Sequence, residues 1–314
     1  MSLGRRKFIK RSFWSAVGAF FIPSLFDVEK LSATPYSLNY KPDPGSWSDD
    51  EINIAWIGHS TMLINFYGKI ILTDPVLMER VGVYILGASI GPSRLTPPAL
   101  SVEELPKPDI ILLSHGHMDH TDYPTLKAIT KRFPNQIDVV VAYLTQDIVA
   151  DLEWRSLTVL DWGDSTKLNG ININAYEVEH FGWRFPWEKD RSRGYFKDGR
   201  SYNAYLIKHR GKKILFGGDT RNSRKLSILK QEKVDIALMP IGAYNPWRHA
   251  HCNPEEALLM ADDFGARYFI PMHCKTFAQG REPFEEPIDW LKKSTGNYKV
   301  TLGLEEIGQT FTLV

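Results

Sequence analysis

The sequence predicts an α/β fold in which a β-rich half occurs twice. Three observations support this prediction. Short apolar runs that are typical of buried strands alternate with a few helical segments. A hairpin pattern near the start of the chain recurs near its middle with the same spacing. Histidine and aspartate residues follow several of these strands, where loops commonly present functional side chains.

Length and composition indicate one large domain or two small ones with a sizeable core. The chain has 314 residues, of which 43% are hydrophobic and 12% are aromatic. No internal segment contains the run of about 18 apolar residues that a membrane-spanning helix needs. The formal net charge is +1, so we expect no nucleic-acid partner.

Residues 1–33 have the composition of an export signal. The basic stretch 5–10 precedes a moderately apolar run at 13–26, and it resembles a twin-arginine signal. Such a signal would make the protein exported, and so periplasmic or membrane-associated; without it the protein would be cytoplasmic. An amphipathic helix at a membrane surface is the alternative interpretation. Residues 1–33 hold six basic and two acidic residues, which leaves 32 basic and 35 acidic residues in the rest.

The folded part is expected to begin after an N-terminal arm. Residues 34–50, rich in Pro, Ser, Asp and Tyr, predict this arm, and residues 51–314 the folded domain. Residues 52–57 alternate like a strand, and residues 62–72 predict a hairpin that turns at 67–68. His59 and Asp74 lie at strand ends. We expect His59 to be structural rather than a ligand, and Asp74 to hold a ligand loop in place.

The next segment has little periodicity. Residues 76–108 predict a long loop near the site, in which residues 91–94 either contact substrate or belong to an ordinary surface loop. The apolar run 110–113 then predicts a buried strand.

The stretch that follows this strand concentrates metal-binding side chains. They are His115, His117, Asp119 and His120. Residues two apart in an extended chain share a face, so the first two histidines would point to one side. The aspartate and the last histidine would turn to a second position nearby. Imidazole and carboxylate suit Zn²⁺ and related divalent ions. A polar surface loop is the weaker interpretation, because burying so many titratable groups without a metal would be costly.

Helices and strands then alternate. Asp122 is a candidate N-cap for a helix over 124–133, followed by a strand at 139–142 and a second helix over 145–154. A strand at 171–175 leads to His180. Residues 181–201 are rich in aromatic and basic side chains, and they either line a substrate mouth or form an ordinary exposed insertion.

The first hairpin pattern recurs in residues 206–215. Both hairpins have Gly-Lys at the turn, and each leads to an aspartate, Asp74 or Asp219. Asp219 lies on a Gly-Gly turn after a buried strand, where its carboxylate could bridge two metals. A turn-forming aspartate is the alternative.

The last third predicts a capped helix and a final histidine. Asn253, Pro254 and Glu256 form a strong helix start, and Gly265 ends the helix. A strand at 268–270 leads to His273. The two cysteines, Cys252 and Cys274, exclude a disulfide framework and a cysteine-type zinc site, although one disulfide between them would be compatible with export.

These motifs resemble the metallo-β-lactamase superfamily. His-x-His-x-Asp-His at 115–120 is its signature, and His180, Asp219 and His273 follow at strand ends in the expected order. Sequences at 56–60, 73–75, 217–220, 240–244, 253–257 and 273–277 are similar to the branch of N-acyl-phosphatidylethanolamine-hydrolysing phospholipases D. The resemblance covers about residues 51–314 and implies an αββα sandwich, in which two mixed β-sheets are flanked by helices.

The resemblance also implies a dinuclear centre with two divalent ions, Zn²⁺ first and Mn²⁺ or Fe²⁺ as alternatives. One metal would be held by His115, His117 and His180, and the other by Asp119, His120 and His273, with Asp219 and a hydroxide as bridges. The hydroxide would attack a phosphodiester. The implied catalytic residues are Asp119, Asp219 and His251; His251 would bind phosphate or protonate the leaving group, or would only begin a helix.

The predicted function is therefore that of a phospholipase D-like phosphodiesterase, acting on a small molecule or on an N-acyl-phosphatidylethanolamine-type lipid, with contact to a membrane surface. A lactonase or other ester hydrolase of the same fold, and a non-catalytic metal-binding protein, are the alternatives. The chain departs from the branch in a longer, more basic stretch after His180 and in Pro246-Trp247. We expect a mouth formed by residues 181–201 and 244–251. Its expected arginines for phosphate and aromatic side chains for lipid carbon are Arg184, Arg193, Trp183, Trp187, Tyr244 and Trp247.

Overall fold

The computed structural model describes residues 36–314, so the predicted export signal at 1–33 lies outside the described residues. The strands of the described chain, in order, are β1 (Ile52–Gly58), β2 (Thr61–Phe66), β3 (Ile70–Thr73), β4 (Val83–Ile85), β5 (Ala88–Ile90), β6 (Ile110–Leu113), β7 (Asp138–Ala142), β8 (Ser156–Leu160), β9 (Ser165–Leu168), β10 (Ile171–Glu177), β11 (Asn203–His209), β12 (Lys212–Phe216), β13 (Ile236–Pro240), β14 (Tyr268–Met272), β15 (Thr301–Leu302) and β16 (Thr310–Leu313). The helices are α1 (Tyr123–Arg132), α2 (Pro254–Asp263) and α3 (Glu286–Thr295).

Two seven-stranded mixed sheets contain all of these strands except β4 and β5. Their orders are β16-β1-β2-β3-β6-β7-β8 and β15-β14-β13-β12-β11-β10-β9. Each sheet has an antiparallel hairpin, β2–β3 or β11–β12, whose second strand continues into three parallel strands. The predicted duplication and the predicted two-sheet sandwich are both confirmed.

The two hairpins share their turn geometry. Tyr67 and Gly68 have φ angles of 55° and 81°, and Arg210 and Gly211 have 45° and 80°. Positive φ at both central residues is typical of the type I′ turn, whose twist matches that of the strands it joins. The glycine of the repeated Gly-Lys pair therefore occupies the second central position in both turns.

The helix caps agree with the sequence. The Asp122 side chain accepts a hydrogen bond from Thr125 N at the start of α1. Asn253 and Glu256 form a reciprocal capping box at the start of α2, which satisfies two backbone N–H groups of the first turn. α2 packs against α3 and β13.

Two local predictions are wrong. Residues 145–154 form a short 3-10 turn at Gln146–Ile148 instead of a helix. The end of this segment is held in an extended conformation by backbone hydrogen bonds to residues 135–137, since Asn135 N donates to Glu153 O and Arg155 N to Ile137 O. The expected loop 76–108 contains the separate hairpin β4–β5.

The hydrophobic core extends through both sheets, and the loops that carry the predicted metal ligands lie at the edge of this core. Buried side chains of β1, β2, β6, β7 and β11–β14 form one continuous hydrophobic cluster. The described part of the arm lies against this body, with Tyr36 N donating to Leu95 O at 2.8 Å and its ring stacked on Phe284. Among residues 36–314, no helix has the length and apolar character needed to cross a bilayer.

Candidate metal centre

The predicted ligands meet where strands of the two sheets end. They follow β6, β10, β12 and β14, and His59 follows β1. The sheets are joined at this point, since Asn203 N donates to Ser114 O and the Tyr205 hydroxyl donates to Leu113 O, each at 2.9 Å. The loops that follow these strands therefore bring side chains from both halves of the duplication together at one edge of the sandwich.

One cluster consists of His115, His117, His180 and Asp219, whose ligand atoms all lie within 4.8 Å of one another. Nε2 of His115 is 2.8 Å from Nδ1 of His117, and Nε2 of His180 is 3.3 Å from the same atom. The three histidines are those that the family resemblance assigns to one metal. The structure brings them together although 63 residues separate His117 from His180.

A second cluster consists of His59, Asp119, His120 and His273. Three of these, Asp119, His120 and His273, are the residues that the family resemblance assigns to the other metal. Asp219 belongs to the first cluster but also reaches this one, because its Oδ2 lies 3.0 Å from His273 Nε2 and 3.1 Å from His120 Nε2. This carboxylate is therefore positioned between the two clusters.

His59 is closer to the centre than the sequence suggested. It is almost fully buried, and its Nε2 lies 3.0 Å from Asp119 Oδ2. Its φ angle is 52°, and His273 has 60°. Histidine adopts this left-handed conformation more readily than most residues, and in both cases it turns the chain directly after a strand. The sequence indicated a structural role for His59, and its place in the second cluster adds it to the candidate ligands.

The donor set fits divalent metal ions. Several buried side-chain atoms of the clusters make no hydrogen bond within the described residues, and buried polar atoms are otherwise nearly always paired. They are His59 Nδ1, His117 Nε2, His120 Nε2, Asp219 Oδ1 and both ring nitrogens of His273. Of these, His120 Nε2 and His273 Nε2 lie within ion-pair distance of Asp219 Oδ2 without hydrogen-bond geometry. Convergent imidazole and carboxylate groups with vacant lone pairs are what Zn²⁺ and similar ions bind.

The electrostatics of the clusters favour cations. Burial lowers the pKa of His115 well below its usual value and that of His117 to about 3, so both are neutral and suited to ligation. Burial also opposes charge on His120 and His273, but the carboxylates of Asp219 and Asp119 outweigh it. The pKa of His120 is raised well above its usual value and that of His273 to about 9. The two ionised carboxylates thus attract positive charge, which a bound cation would supply.

Asp74 holds the ligand loop, as the sequence predicted. Its Oδ1 accepts from Ser114 N at 2.7 Å, and its Oδ2 faces His120 Nδ1 at 2.6 Å and accepts from Ser114 Oγ. The carboxylate is fully buried. A carboxylate on Nδ1 orients the ring so that Nε2 faces the cluster, which is the usual arrangement behind a metal-binding histidine.

Two residues border the clusters on the outside. His251 Nε2 lies 3.3 Å from Asp219 Oδ2, so this histidine adjoins the centre as well as preceding α2. Gln279 Nε2 donates to Asp119 Oδ2 at 2.5 Å. Sequence reasoning missed Gln279, because a single glutamine 160 residues from its partner gives no pattern to find.

Three side chains predicted to line the substrate mouth make hydrogen bonds within the protein instead. Arg184 Nη1 donates to Gly116 O at 2.7 Å and to Thr121 O at 3.0 Å, so Arg184 supports the ligand loop instead of facing substrate. Arg193 Nη1 donates to Pro186 O and Glu188 O. Tyr244 is buried, and its hydroxyl donates to Glu286. Among the predicted aromatic contacts, Trp187 and Trp247 are exposed.

The two cysteines do not form the disulfide that the sequence left open. Cys252 and Cys274 are both free and buried. Cys252 Sγ donates to Pro240 O, and burial raises the pKa of both thiols. Each is held in the core separately.

Comparison with known proteins decides the family. A family model described as the beta-lactamase superfamily domain matches residues 69–274. The chain belongs to this superfamily. An N-acyl-phosphatidylethanolamine-hydrolyzing phospholipase D 1 of Caenorhabditis elegans is 31% identical over 262 residues, covering 78% of this chain and 70% of that protein. The mitochondrial N-acyl-phosphatidylethanolamine-hydrolyzing phospholipase D of Saccharomyces cerevisiae is 30% identical over 316 residues, covering 92% and 64%.

A solved structure supports the same fold. A metallo hydrolase from the archaeon Ignicoccus hospitalis superposes with a TM-score of 0.59 at 20% identity, covering 84% of this chain and 99% of that one. The chain is thus a metal-dependent hydrolase of the beta-lactamase superfamily, with histidine and aspartate groups arranged as candidate metal ligands.

Proposed function

We propose that the protein hydrolyses the phosphodiester of a phospholipid of the N-acyl-phosphatidylethanolamine class, on the headgroup side, at a centre of two divalent ions, with Zn²⁺ as the first candidate. The observation that carries the two-ion proposal is the position of Asp219. It belongs to the ligand cluster of His115, His117 and His180, and its Oδ2 lies about as close to His120 as to His273 in the other cluster.

The residues of each cluster have separate tasks in this proposal. Two ions bound there would supply a nucleophile from water at neutral pH and would stabilise negative charge on the phosphoryl oxygens. Asp219 holds the two clusters at a fixed separation. Asp119 is fixed from outside by His59 and Gln279, so its carboxylate orientation is set before substrate binds.

His251 is the candidate for proton transfer. Its side chain is 12% exposed, whereas Asp219 beside it is 1% exposed, so His251 stands at the solvent edge of the centre. A hydrogen bond between its Nε2 and Asp219 Oδ2 would leave Nδ1, which is buried and has no hydrogen-bond partner among the described residues, to donate to a leaving-group oxygen that enters the centre. Imidazole can donate the proton that an alkoxide requires as the phosphorus–oxygen bond breaks.

Aromatic rings beside the first cluster favour a substrate with apolar parts. Phe181 packs on both His117 and His180, and Trp183 stacks on Phe181 with ring centroids 5.0 Å apart. Trp247 is 41% exposed and donates from its indole nitrogen to Gln279 O. The names of the two phospholipase relatives support the same substrate class.

Product analysis tests the proposal. Zinc-loaded protein with N-acyl-phosphatidylethanolamine in mixed micelles should release phosphatidate and an N-acylethanolamine. In ¹⁸O-labelled water the label should enter phosphatidate, because water oxygen bonds to phosphorus and the alcohol takes the proton. Asp219→Asn, which keeps the shape of the side chain, is the matched control and should abolish turnover.

Three results would contradict the proposal. Release of free fatty acid with a lysophospholipid would indicate a carboxylic-ester hydrolase. Turnover of lactones with no phosphodiester cleavage would assign the lactonase alternative. Full metal loading with no hydrolysis of any of these compounds would favour the non-catalytic alternative.

A further inference from the structure

The hairpin β4–β5 presents an apolar, uncharged tip to solvent. Residues 81–93 contain no charged side chain. At the tip, Leu86 is fully exposed, Ile85 is 51% exposed and Ile90 is 64% exposed. Adjacent large apolar side chains at such exposure mark an interaction site on a soluble surface.

The turn residue itself contributes to the apolar tip. Leu86 and Gly87 occupy the turn with φ angles of 52° and 88°. Turns of this type favour asparagine or glycine at the first position, because bulky side chains are strained there. An Asn-Gly turn would close the same hairpin without strain and without exposing a leucine. Leucine at this position therefore adds exposed apolar area that closure of the hairpin does not require.

The root of the hairpin is fixed beside the metal centre. Val81 packs with Val76 and Phe277, and the Phe277 ring lies 5.4 Å from that of His59. Gly82 and Gly91 approach each other so closely that a Cβ on either would lie 2.1 Å from a carbonyl oxygen of the opposite strand. The tip is thus held at a set position relative to the second ligand cluster.

The surroundings of the hairpin carry balanced charge. Arg80 and Lys127 are exposed near its base, and Glu79 and Asp151 carry the opposite charge nearby. Tyr84 contacts Tyr123, over whose ring Lys127 lies. The binding force of this region must therefore come mainly from the apolar tip.

The N-terminal arm joins the body on the same side. Tyr36 N donates to Leu95 O, one residue beyond Arg94, which pairs with Phe277 at the hairpin root. The 35 residues before Tyr36 include the basic and apolar run that predicts either an export signal or a membrane-surface helix. Of these two interpretations, the membrane-surface helix would bring this side of the molecule to a membrane.

We propose that the β4–β5 tip, Tyr84–Ile90, inserts into the surface of a phospholipid bilayer and places the metal centre against it. The inference rests on the proposed phospholipid substrate, which would then reach the centre without leaving the membrane completely. Insertion of the tip buries apolar area, which is the term that drives reversible interfacial binding. Because the base is charge-balanced, binding to phosphatidylcholine vesicles should persist at high salt.

A fluorophore at the tip tests this insertion. Leu86→Cys in the full chain can be labelled selectively with an environment-sensitive dye, because Cys252 and Cys274 are buried. On addition of phosphatidylcholine vesicles, the emission should shift to shorter wavelength and be quenched by lipids that carry a spin label in the acyl chain. Ile228→Cys, at an exposed isoleucine on the separate segment Lys225–Gln231, is the matched control and should show neither change.

A second variant measures the contribution of the tip. Leu86→Asp should lower vesicle partitioning by about tenfold to a hundredfold, the effect of losing one buried leucine and adding a charge. Ile228→Asp should leave partitioning within about twofold of wild type. Hydrolysis of a short, water-soluble phosphodiester should be unchanged in Leu86→Asp.

Several outcomes would overturn the inference. They are equal partitioning of Leu86→Asp and wild type, an unchanged emission spectrum at position 86, or a dimer that light scattering shows to be lost in Leu86→Asp, which would assign the tip to a second copy of the chain. Failure of the proposed function is distinguishable. In that case the tip still inserts and the vesicles remain unhydrolysed, whereas failed insertion with intact phospholipid cleavage in micelles refutes the inference alone.

Discussion

Replacing Asp74 with asparagine should weaken metal binding although Asp74 is not among the predicted ligands. The carboxylate accepts from Ser114 N on one oxygen and faces His120 Nδ1 on the other. Asparagine has the same shape but one oxygen becomes an NH₂ group. Whichever way the amide turns, one N–H of the protein then faces another donor inside a fully buried site.

The expected magnitude follows from this single lost interaction. A hydrogen bond to a charged group contributes about 1.5–3 kcal/mol. If that energy is expressed in the orientation of His120, zinc affinity should fall by roughly tenfold to a hundredfold, the range for such supporting carboxylates. Competition between the protein and a coloured chelator measures the affinity directly.

Asp122→Asn is the matched control for this experiment. Asp122 is also a buried aspartate of the same loop, but it caps α1, a task that asparagine performs equally well. Its zinc affinity should stay within about twofold of wild type. If Asp74→Asn binds zinc as tightly as wild type, or if both variants weaken binding equally, the orienting role of Asp74 is refuted.

Two further substitutions test the supports of the centre. Gly218→Ala should lower the free energy of unfolding of the metal-free protein in urea by about 2 kcal/mol or more, because the residue has φ 57° and a Cβ would lie 2.6 Å from Asn203 O. Gly211→Ala is the control and should lower it by only about 1 kcal/mol, because this residue has φ 80° but open space around the added Cβ. Equal losses in the two variants would exclude the steric contribution at Gly218. Arg184→Lys should lower zinc affinity and thermal stability while leaving KM for a phosphodiester within about twofold. The shorter lysine places its tetrahedral ammonium short of the position from which Arg184 Nη1 donates to both Gly116 O and Thr121 O. A raised KM with unchanged zinc affinity would instead restore Arg184 to the substrate mouth.

The predictable parts of the molecule were those with a local signal. The repeated hairpin predicted both sheets. The turn glycines Gly68 and Gly211 recur at the same spacing from the apolar residues on either side, and an aspartate follows each hairpin. The helix caps Asp122 and Asn253 are short-range hydrogen-bond patterns, and both were predicted at the correct residues. The juxtaposition of the candidate ligands followed from strand ends and from the family resemblance together.

The parts that were missed depend on contacts between distant segments. The predicted helix at 145–154 does not form, because the end of this segment pairs through its backbone with residues 135–137. Helix propensity is a property of the local sequence and does not include such contacts. The inward turn of Arg184 depends on carbonyl groups of the ligand loop more than 60 residues earlier. Gln279 and His59 meet at Asp119 only because β1 and the segment after β14 end side by side.

The hairpin β4–β5 shows a different limit. Its strands are three residues each, and glycines lie at 82, 87 and 91, which suppressed the strand signal in the sequence. The close approach of Gly82 and Gly91 is what those glycines permit. Glycines that predicted a loop therefore belong to a tight two-stranded hairpin in the structure.

The central claim is that two ligand clusters sharing Asp219 bind two divalent ions. Titration calorimetry of the metal-free protein with Zn²⁺ tests it most directly. The structure predicts about two equivalents of zinc per chain for the wild type and loss of at least one in Asp219→Asn. A single equivalent in the wild type, or two undiminished sites in Asp219→Asn, would contradict the account.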